Sequence, residues 1–185
     1  MVTYTGRLIK GKGLETLFAA MGALADLPTW HLLLVGSGQG QVISIEDTLR
    51  QEAERGGLRG RVTFTGRVDN VPAYLQATDV FVFPTLDEAL GMSAVEAQAC
   101  GLPAVASRTG GVPDIVEDGV TGLLVSPGNA ASLADALRKL LTDSGLRDRF
   151  ARAARTRTEQ RFALHTMVAR YADLFRSLGG GRAAS

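Results

Sequence analysis

Six short runs of apolar and β-branched residues constrain the fold of this 185-residue chain more than any other feature. A Gly, Pro or Ser closes each run: Val2–Thr5, Leu32–Val35, Val62–Thr65, Val80–Phe83, Ala104–Ala106 and Leu123–Val125. Amphipathic stretches such as Leu14–Leu24, Asp47–Gly56 and Ala94–Cys100 separate them. Buried strands that alternate with helices pair in parallel. The sequence therefore predicts an α/β fold in which a parallel sheet of about six strands carries helices on both faces.

Glycines cluster where these strands are predicted to end. The positions are Gly6, Gly36, Gly38, Gly40, Gly66, Gly91, Gly110 and Gly111. Ligands of parallel α/β sheets bind outside the carboxyl ends of the strands. We therefore expect the functional site at this edge.

The strand pattern stops near residue 130. Three helices are predicted beyond it, over Ser132–Leu141, Arg147–Thr158 and Leu164–Leu178. We expect a single α/β domain over residues 1–178 and a disordered tail over 179–185. The last helix carries large apolar residues on one face: Leu164, Met167, Val168, Tyr171, Leu174, Phe175 and Leu178. Two alternatives stay open, packing against its own domain or contact with another surface, including a second copy in a homodimer.

Composition excludes several classes of partner. The formal net charge of +1 provides no field to attract nucleic acid. The Arg-rich stretch Arg147–Arg161 also contains acidic residues, which favours a solvent-exposed helix face. The alternative is that this face contacts anionic lipid at a membrane surface. The single cysteine, Cys100, excludes an internal disulfide and favours the cytoplasm, and no export signal is apparent. His31 and His165 are isolated, so we expect no metal site.

Glu88 and Glu96 bracket the start of a predicted helix after the fourth strand. Carboxylates accept hydrogen bonds from sugar and ribose hydroxyls, and the amides of Gly91, Met92 and Ser93 would bind an anion at the positive helix end. This segment has the groups needed to hold a sugar nucleotide. The alternative is a capping box, in which Ser93 and Glu96 satisfy each other's backbone amides without any ligand.

Two glycine-rich segments fall short of known phosphate motifs. The segment from Gly6 to Leu14 approaches a P-loop, but glycine at position 13 replaces the Ser or Thr that holds magnesium. Its two cations, Arg7 and Lys12, could neutralise a diphosphate without a metal, although a flexible basic turn explains them equally well. In the second segment, Gln41 stands where a dinucleotide fingerprint requires glycine, so we predict a tight turn there.

Taken in order, these motifs resemble the carboxyl-terminal domain of a retaining glycosyltransferase of the GT-B fold, family 4 type (glycosyl transferases group 1). The resemblance covers residues 2 to about 178. It rests on Gly6-Arg7-Leu8 with Lys12-Gly13, Val35-Gly36-x-Gly38, Val62-x-Phe64-x-Gly66, Pro84, Glu88-x7-Glu96-Ala97, Gly101-x-Pro103 and Gly110-Gly111-x-Pro113. It implies a Rossmann-like domain that binds a UDP-, GDP- or ADP-linked sugar without cofactor or metal, as part of a hexosyltransferase.

The resemblance also implies roles for matching residues. Arg7 and Lys12 would hold the diphosphate and stabilise the leaving nucleotide, Glu88 would bind the donor sugar, and Glu96 would bind the ribose. The remaining donor contacts would come from Gly6, Gly36, Arg67, Val68, Gly91, Met92, Ser93 and Val95, with Arg67 and Val68 against the base. The chain departs from the family pattern at Leu90, where many relatives have Phe, and at Gln39-Gly40, where they have proline.

Enzymes of this kind hold the acceptor on an amino-terminal domain, which this sequence does not match. The resemblance therefore implies donor binding by this chain without turnover. Two rivals stay open, a non-catalytic nucleotide-binding or regulatory module and a degenerate P-loop phosphotransferase. The latter would require magnesium.

Overall fold

The computed structural model describes residues 1–179. Its strands are β1 (Val2–Thr5), β2 (Leu32–Val35), β3 (Val62–Gly66), β4 (Val80–Phe83), β5 (Ala104–Ser107) and β6 (Gly122–Val125). Its α-helices are α1 (Leu14–Gly22), α2 (Glu46–Ala53), α3 (Val71–Gln76), α4 (Met92–Ala99), α5 (Val112–Ile115), α6 (Ala130–Thr142), α7 (Ser144–Phe162) and α8 (Leu164–Gly179). A 3-10 turn spans Gly56–Leu58.

The six strands form one parallel sheet in the order β3-β2-β1-β4-β5-β6. The predicted Rossmann-like α/β fold is therefore confirmed. Every residue of β1, β2, β4 and β5 is buried, as expected for strands covered on both faces. The strand order reverses between β1 and β4, and this switch point opens a crevice at the carboxyl edge of the sheet.

Helix caps explain where the last helices begin. The side chain of Asn129 accepts a hydrogen bond from the Ser132 amide at 2.9 Å, so α6 begins at Ala130. Asp143 caps α7 in the same way through the Leu146 amide at 2.8 Å. Both helices therefore begin two or three residues earlier than the apolar periodicity predicted, because each cap satisfies amide donors that would otherwise remain free.

The apolar face of α8 is exposed to solvent. Its seven large apolar residues have exposed fractions between 47% and 71%. Within residues 1–179, this face is not buried against its own domain. The predicted disordered tail, 179–185, lies outside the described residues, except that Gly179 is the last residue of α8. None of the helices described is long and apolar enough to cross a membrane.

Candidate functional site

A cavity of about 780 Å³ opens at the carboxyl ends of β1, β2 and β3, next to the start of α4. Seven of the residues predicted to bind the donor line it: Gly6, Arg7, Gly36, Arg67, Val68, Ser93 and Glu96. These residues come from four separate segments of the chain, and the strand order brings them together. The cavity thus lies at the edge of the sheet where the sequence predicted the site.

Close backbone approach explains the glycines at the base of this cavity. Gly36 has φ +136°, and a Cβ there would lie 2.0 Å from the carbonyl oxygen of Gly6. The Gly6 amide in turn donates to the carbonyl of Val35 at 3.0 Å. The turns after β1 and β2 therefore contact each other directly, which a larger residue at position 36 would prevent.

Tyr4 supports the turn at Gly6, and the Arg7 side chain in that turn is exposed. The hydroxyl of Tyr4 is buried and donates to the carbonyl of Arg7 at 3.0 Å. Burial raises the pKa of Tyr4 well above its ordinary value, and nearby Glu88 raises it further. Tyr4 therefore remains a neutral hydrogen-bond donor beneath the turn. The Arg7 side chain is exposed at the cavity.

Lys12 and Glu88 form an ion pair beside this cavity. The Lys12 Nζ atom lies 2.8 Å from Glu88 Oε2, and the two side chains are 23% and 18% exposed. They come from the loops after β1 and β4, which are neighbours across the switch point. Their partial removal from water makes this attraction stronger than that of an open surface pair. Neither side chain lines the cavity in this arrangement.

The loop that carries Glu88 is held by backbone contacts from both sides. On one side the Leu86 amide donates to the carbonyl of Gly11 at 2.9 Å. On the other, the Gly111 amide donates to the carbonyl of Ala89 at 3.1 Å. A Cβ on Gly110 would lie only 1.6 Å from the carbonyl oxygen of Glu88. The Gly110-Gly111 pair thus permits the close packing that positions the Glu88 backbone.

The capping-box interpretation of Ser93 and Glu96 is wrong. Helix α4 begins at Met92, and its N-cap is Gly91, which has φ +97° and provides no side-chain cap. Ser93 is therefore the second residue of the helix, two positions past the N-cap that the first residue of a capping box must occupy. Both Ser93 and Glu96 line the cavity instead.

Three further residues with predicted donor contacts do not line this first cavity: Gly91, Met92 and Val95. Met92 and Val95 line a second cavity of about 470 Å³ between α4 and α8. Gly91 is buried, and a Cβ there would lie 3.2 Å from Phe83 Cε1. Ligand contact by the backbone amides around these residues stays a prediction.

Glu46 also lines the first cavity, although no sequence motif predicted it there. Its Oε2 atom accepts hydrogen bonds from Ser37 Oγ at 2.7 Å and from the Gly38 amide at 2.8 Å. Arg50 donates to Oε1 from Nη2 at 2.7 Å and from Nε at 3.1 Å. Burial acts to raise the pKa of Glu46, but these hydrogen bonds outweigh it and lower the pKa. The available signal was the Glu46–Arg50 spacing of one helical turn.

The described residues contain no group of three or more His, Cys, Asp or Glu side chains that could hold a metal ion. Charge near the cavity comes instead from arginines 7, 50 and 67 and from glutamates 46 and 96. Since Glu46 is paired with Arg50, the two remaining arginines, Arg7 and Arg67, outweigh the one remaining carboxylate, Glu96, and the cavity is suited to an anion.

Comparison with protein families matches residues 1–157 to the family described as glycosyl transferases group 1. The chain is 33% identical over 177 residues to the lipopolysaccharide core biosynthesis glycosyltransferase LpsE of Rhizobium meliloti, covering 96% of this chain and 50% of that protein. It is 34% identical over 186 residues to the D-inositol 3-phosphate glycosyltransferase of Mycolicibacterium smegmatis, covering 99% of this chain and 42% of that protein. The chain thus spans half or less of the length of these curated relatives.

Solved structures share the fold. The crystal structure of HepE of Anabaena in complex with UDP superposes with a TM-score of 0.89 at 30% identity, covering 95% of this chain and 48% of that one. HepE has also been solved in complex with UDP-glucose. The carboxyl-terminal domain of LpcC, a glycosyl transferase group 1 family protein from Francisella tularensis, gives a TM-score of 0.81 at 26% identity, covering 88% of this chain and 86% of that one.

Proposed function

Because the chain belongs to the glycosyl transferases group 1 family, we propose that it is the donor-binding domain of a retaining glycosyltransferase. The observation that carries this proposal is the cavity at the switch point, which is lined by both Arg7 and Glu96. Arg7 is a cation suited to a diphosphate, and Glu96 is an acceptor suited to ribose hydroxyls. HepE, which has this fold at 30% identity, binds UDP and UDP-glucose.

Arg7 and Lys12 neutralise the diphosphate of the donor in this proposal. Charge develops on that diphosphate as the bond to the sugar breaks, and fixed cations stabilise it without a metal ion. Lys12 has three N–H donors, so it can contact a phosphate oxygen while it keeps its bond to Glu88. The amides around Gly91, at the positive end of α4, add donors for phosphate and ribose.

Glu88 binds hydroxyls of the donor sugar, and Glu96 binds those of the ribose. The ion pair with Lys12 orients the Glu88 carboxylate beside the phosphate site. Arg67 and Val68, on the loop after β3, lie against the base. A UDP-, GDP- or ADP-linked sugar fits these requirements, and UDP is the first nucleotide to test because HepE binds it.

A further domain supplies the acceptor site in this proposal. The chain spans about half of HepE, and the apolar face of α8 is exposed. A cavity of about 470 Å³ continues from that face to α4, close to the donor site. An apolar surface of this kind is stabilised when another domain covers it. The isolated chain is therefore expected to bind donor without transferring sugar.

Calorimetry with UDP, GDP and ADP, each with and without its sugar, tests this proposal. Glu96→Gln should weaken binding of the bare nucleotide by about 1 to 2 kcal/mol, because a charged hydrogen bond becomes a neutral one. The melting temperature should not change, since Glu96 does not cap α4. Glu88→Gln should weaken binding of the nucleotide sugar more than that of the bare nucleotide.

Glu15→Gln is a matched control, because it changes an exposed glutamate in the first turn of α1, away from the cavity. It should leave both affinities unchanged. If the parent bound the nucleotide but not its sugar conjugate, a nucleotide-sensing module would replace the transferase assignment. If both site variants bound like the parent, the roles given to the two carboxylates would be wrong.

A further inference from the structure

We infer that Glu46 is a positioning residue for donor binding, acting through the backbone that carries Arg7. The inference rests on the proposed function, because it assigns Arg7 to the donor diphosphate. Glu46 is the first residue of α2, and its side chain is 12% exposed. Its carboxylate bonds to two segments of the chain, which sets it apart from an ordinary surface glutamate.

The carboxylate first fixes the glycine turn after β2. Its Oε2 atom accepts from the hydroxyl of Ser37 and from the amide of Gly38. The turn is closely packed, because a Cβ on Gly38 would lie 2.3 Å from the carbonyl oxygen of Leu8. Loss of the carboxylate would leave the Gly38 amide without the acceptor that holds this turn in place.

The turn after β2 then fixes the turn that carries Arg7. The Leu8 amide donates to the carbonyl of Ser37 at 3.3 Å, and the Leu8 carbonyl accepts from the Ile45 amide at 3.1 Å. On its other side, Arg7 follows Gly6, whose amide donates to the carbonyl of Val35. Arg7 therefore lies between two residues, one hydrogen-bonded to the last residue of β2 and the other to the β2–α2 connection. The Glu46 carboxylate is two hydrogen bonds away from the Leu8 amide.

Arg50 holds the carboxylate from its other side. Its guanidinium donates to Glu46 Oε1 and lies over the ring of Phe64, 4.4 Å from the ring centre. Because Phe64 belongs to β3, the contacts of Glu46 and Arg50 connect the turn after β2, helix α2 and strand β3. Arg50 also neutralises Glu46, so its negative charge does not oppose a diphosphate bound at Arg7.

The test compares UDP affinity, by calorimetry, for the parent, Glu46→Ala and Glu46→Gln. We expect Glu46→Ala to bind UDP about tenfold more weakly, the change expected for loss of one hydrogen bond to a charged group. Glu46→Gln should recover part of this loss. Its one carbonyl oxygen can accept from the glycine turn or from Arg50, but its amide group repels whichever donor remains.

A double-mutant cycle with Arg7→Ala tests whether Glu46 acts through Arg7. In the Arg7→Ala background, Glu46→Ala should change UDP affinity by less than about twofold, because the affected cation is already missing. Equal losses in both backgrounds would overturn the inference. Glu159→Ala is the matched control, since it removes another glutamate paired with an arginine one helical turn away, at an exposed position of α7. It should leave UDP affinity unchanged.

Amide hydrogen exchange measured without ligand separates this inference from the proposed function. The Gly38 and Leu8 amides should exchange faster in Glu46→Ala than in the parent and should be unchanged in Glu159→Ala. Unchanged exchange at both amides would refute the positioning role, whatever the affinities are. If the parent bound none of the nucleotides while exchange changed as expected, the proposed function would fail and the structural coupling would remain.

Discussion

Replacing Gly110 with alanine should disrupt the loop that carries Glu88. Gly110 has φ +49°, and a Cβ there would lie 1.6 Å from the carbonyl oxygen of Glu88, whereas real Cβ contacts are essentially never shorter than 3.0 Å. One backbone must therefore move by about 3.0 − 1.6 = 1.4 Å. A left-handed alanine costs about 1 to 2 kcal/mol, and overpacking against backbone costs about 1 to 3 more. The free energy of unfolding should fall by roughly 2 to 5 kcal/mol.

Gly119→Ala is the matched control for this change. Gly119 has φ +75°, but a Cβ there would meet no atom within 4 Å. Its alanine variant should lose only the conformational part, about 1 to 2 kcal/mol. Urea denaturation of both variants isolates the contribution of the clash. If the two variants agreed within about 0.5 kcal/mol, close packing on the Glu88 loop would not be what requires glycine at position 110.

The same variant has an expected functional consequence. Displacement of the Glu88 loop should break its ion pair with Lys12, which depends on a separation of 2.8 Å. At a temperature where Gly110→Ala is folded, nucleotide-sugar affinity should therefore fall more than nucleotide affinity. Equal losses for both ligands would argue against a role of Glu88 in sugar binding.

Three further predictions follow from the charged and buried groups. Replacing both Arg7 and Lys12 with alanine should weaken nucleoside diphosphate binding by roughly 2 to 4 kcal/mol, measured by calorimetry. EDTA should leave binding by the parent nearly unchanged. If the double variant bound like the parent, the assignment of these two residues to the diphosphate would be wrong. Hydrogen bonds outweigh burial and lower the pKa of Glu46 in the folded protein. Its contribution to stability is therefore present above its unfolded pKa of about 4.3 and is lost as pH falls through the lower folded value. Glu46→Gln should show a smaller loss of stability on acidification than the parent. Burial raises the pKa of Tyr4, so its contribution is present below about pH 10 and is lost at higher pH, and Tyr4→Phe should reduce this alkaline loss of stability in denaturation curves.

Local sequence was sufficient to predict the strands of this protein. The six predicted runs match the observed strands to within one residue at each end, because strands of a parallel sheet covered by helices are rich in apolar and β-branched residues. The predicted ends of the helices agreed less well with the structure. The caps Asn129 and Asp143 were present in the sequence, but periodicity of apolar residues does not register a polar residue outside the helix.

Motifs and the family resemblance that they carry predicted seven of the seventeen residues that line the cavity. Gly6, Arg7, Gly36, Arg67 and Val68 all lie just after strands, and parallel strands place such residues at one edge. Ser93 and Glu96 were predicted with two interpretations, since a four-residue motif has the same spacing whether it caps a helix or faces a ligand. The position of Gly91 as N-cap excluded the capping box, and ligand contact by Ser93 and Glu96 stays a prediction.

The sequence by itself determined the α/β class, the family and the edge of the sheet at which the candidate site lies, because each depends on residue type and spacing along the chain. Tertiary structure alone decided which loops touch. The ion pair between Lys12 and Glu88 joins residues 76 positions apart, and the packing of Gly110 on Glu88 depends on two loops meeting at the switch point. The hydrogen bonds of Glu46 could likewise not be predicted from the sequence, because they form only when the folded backbone brings the donor groups of Ser37 and Gly38 within hydrogen-bond distance.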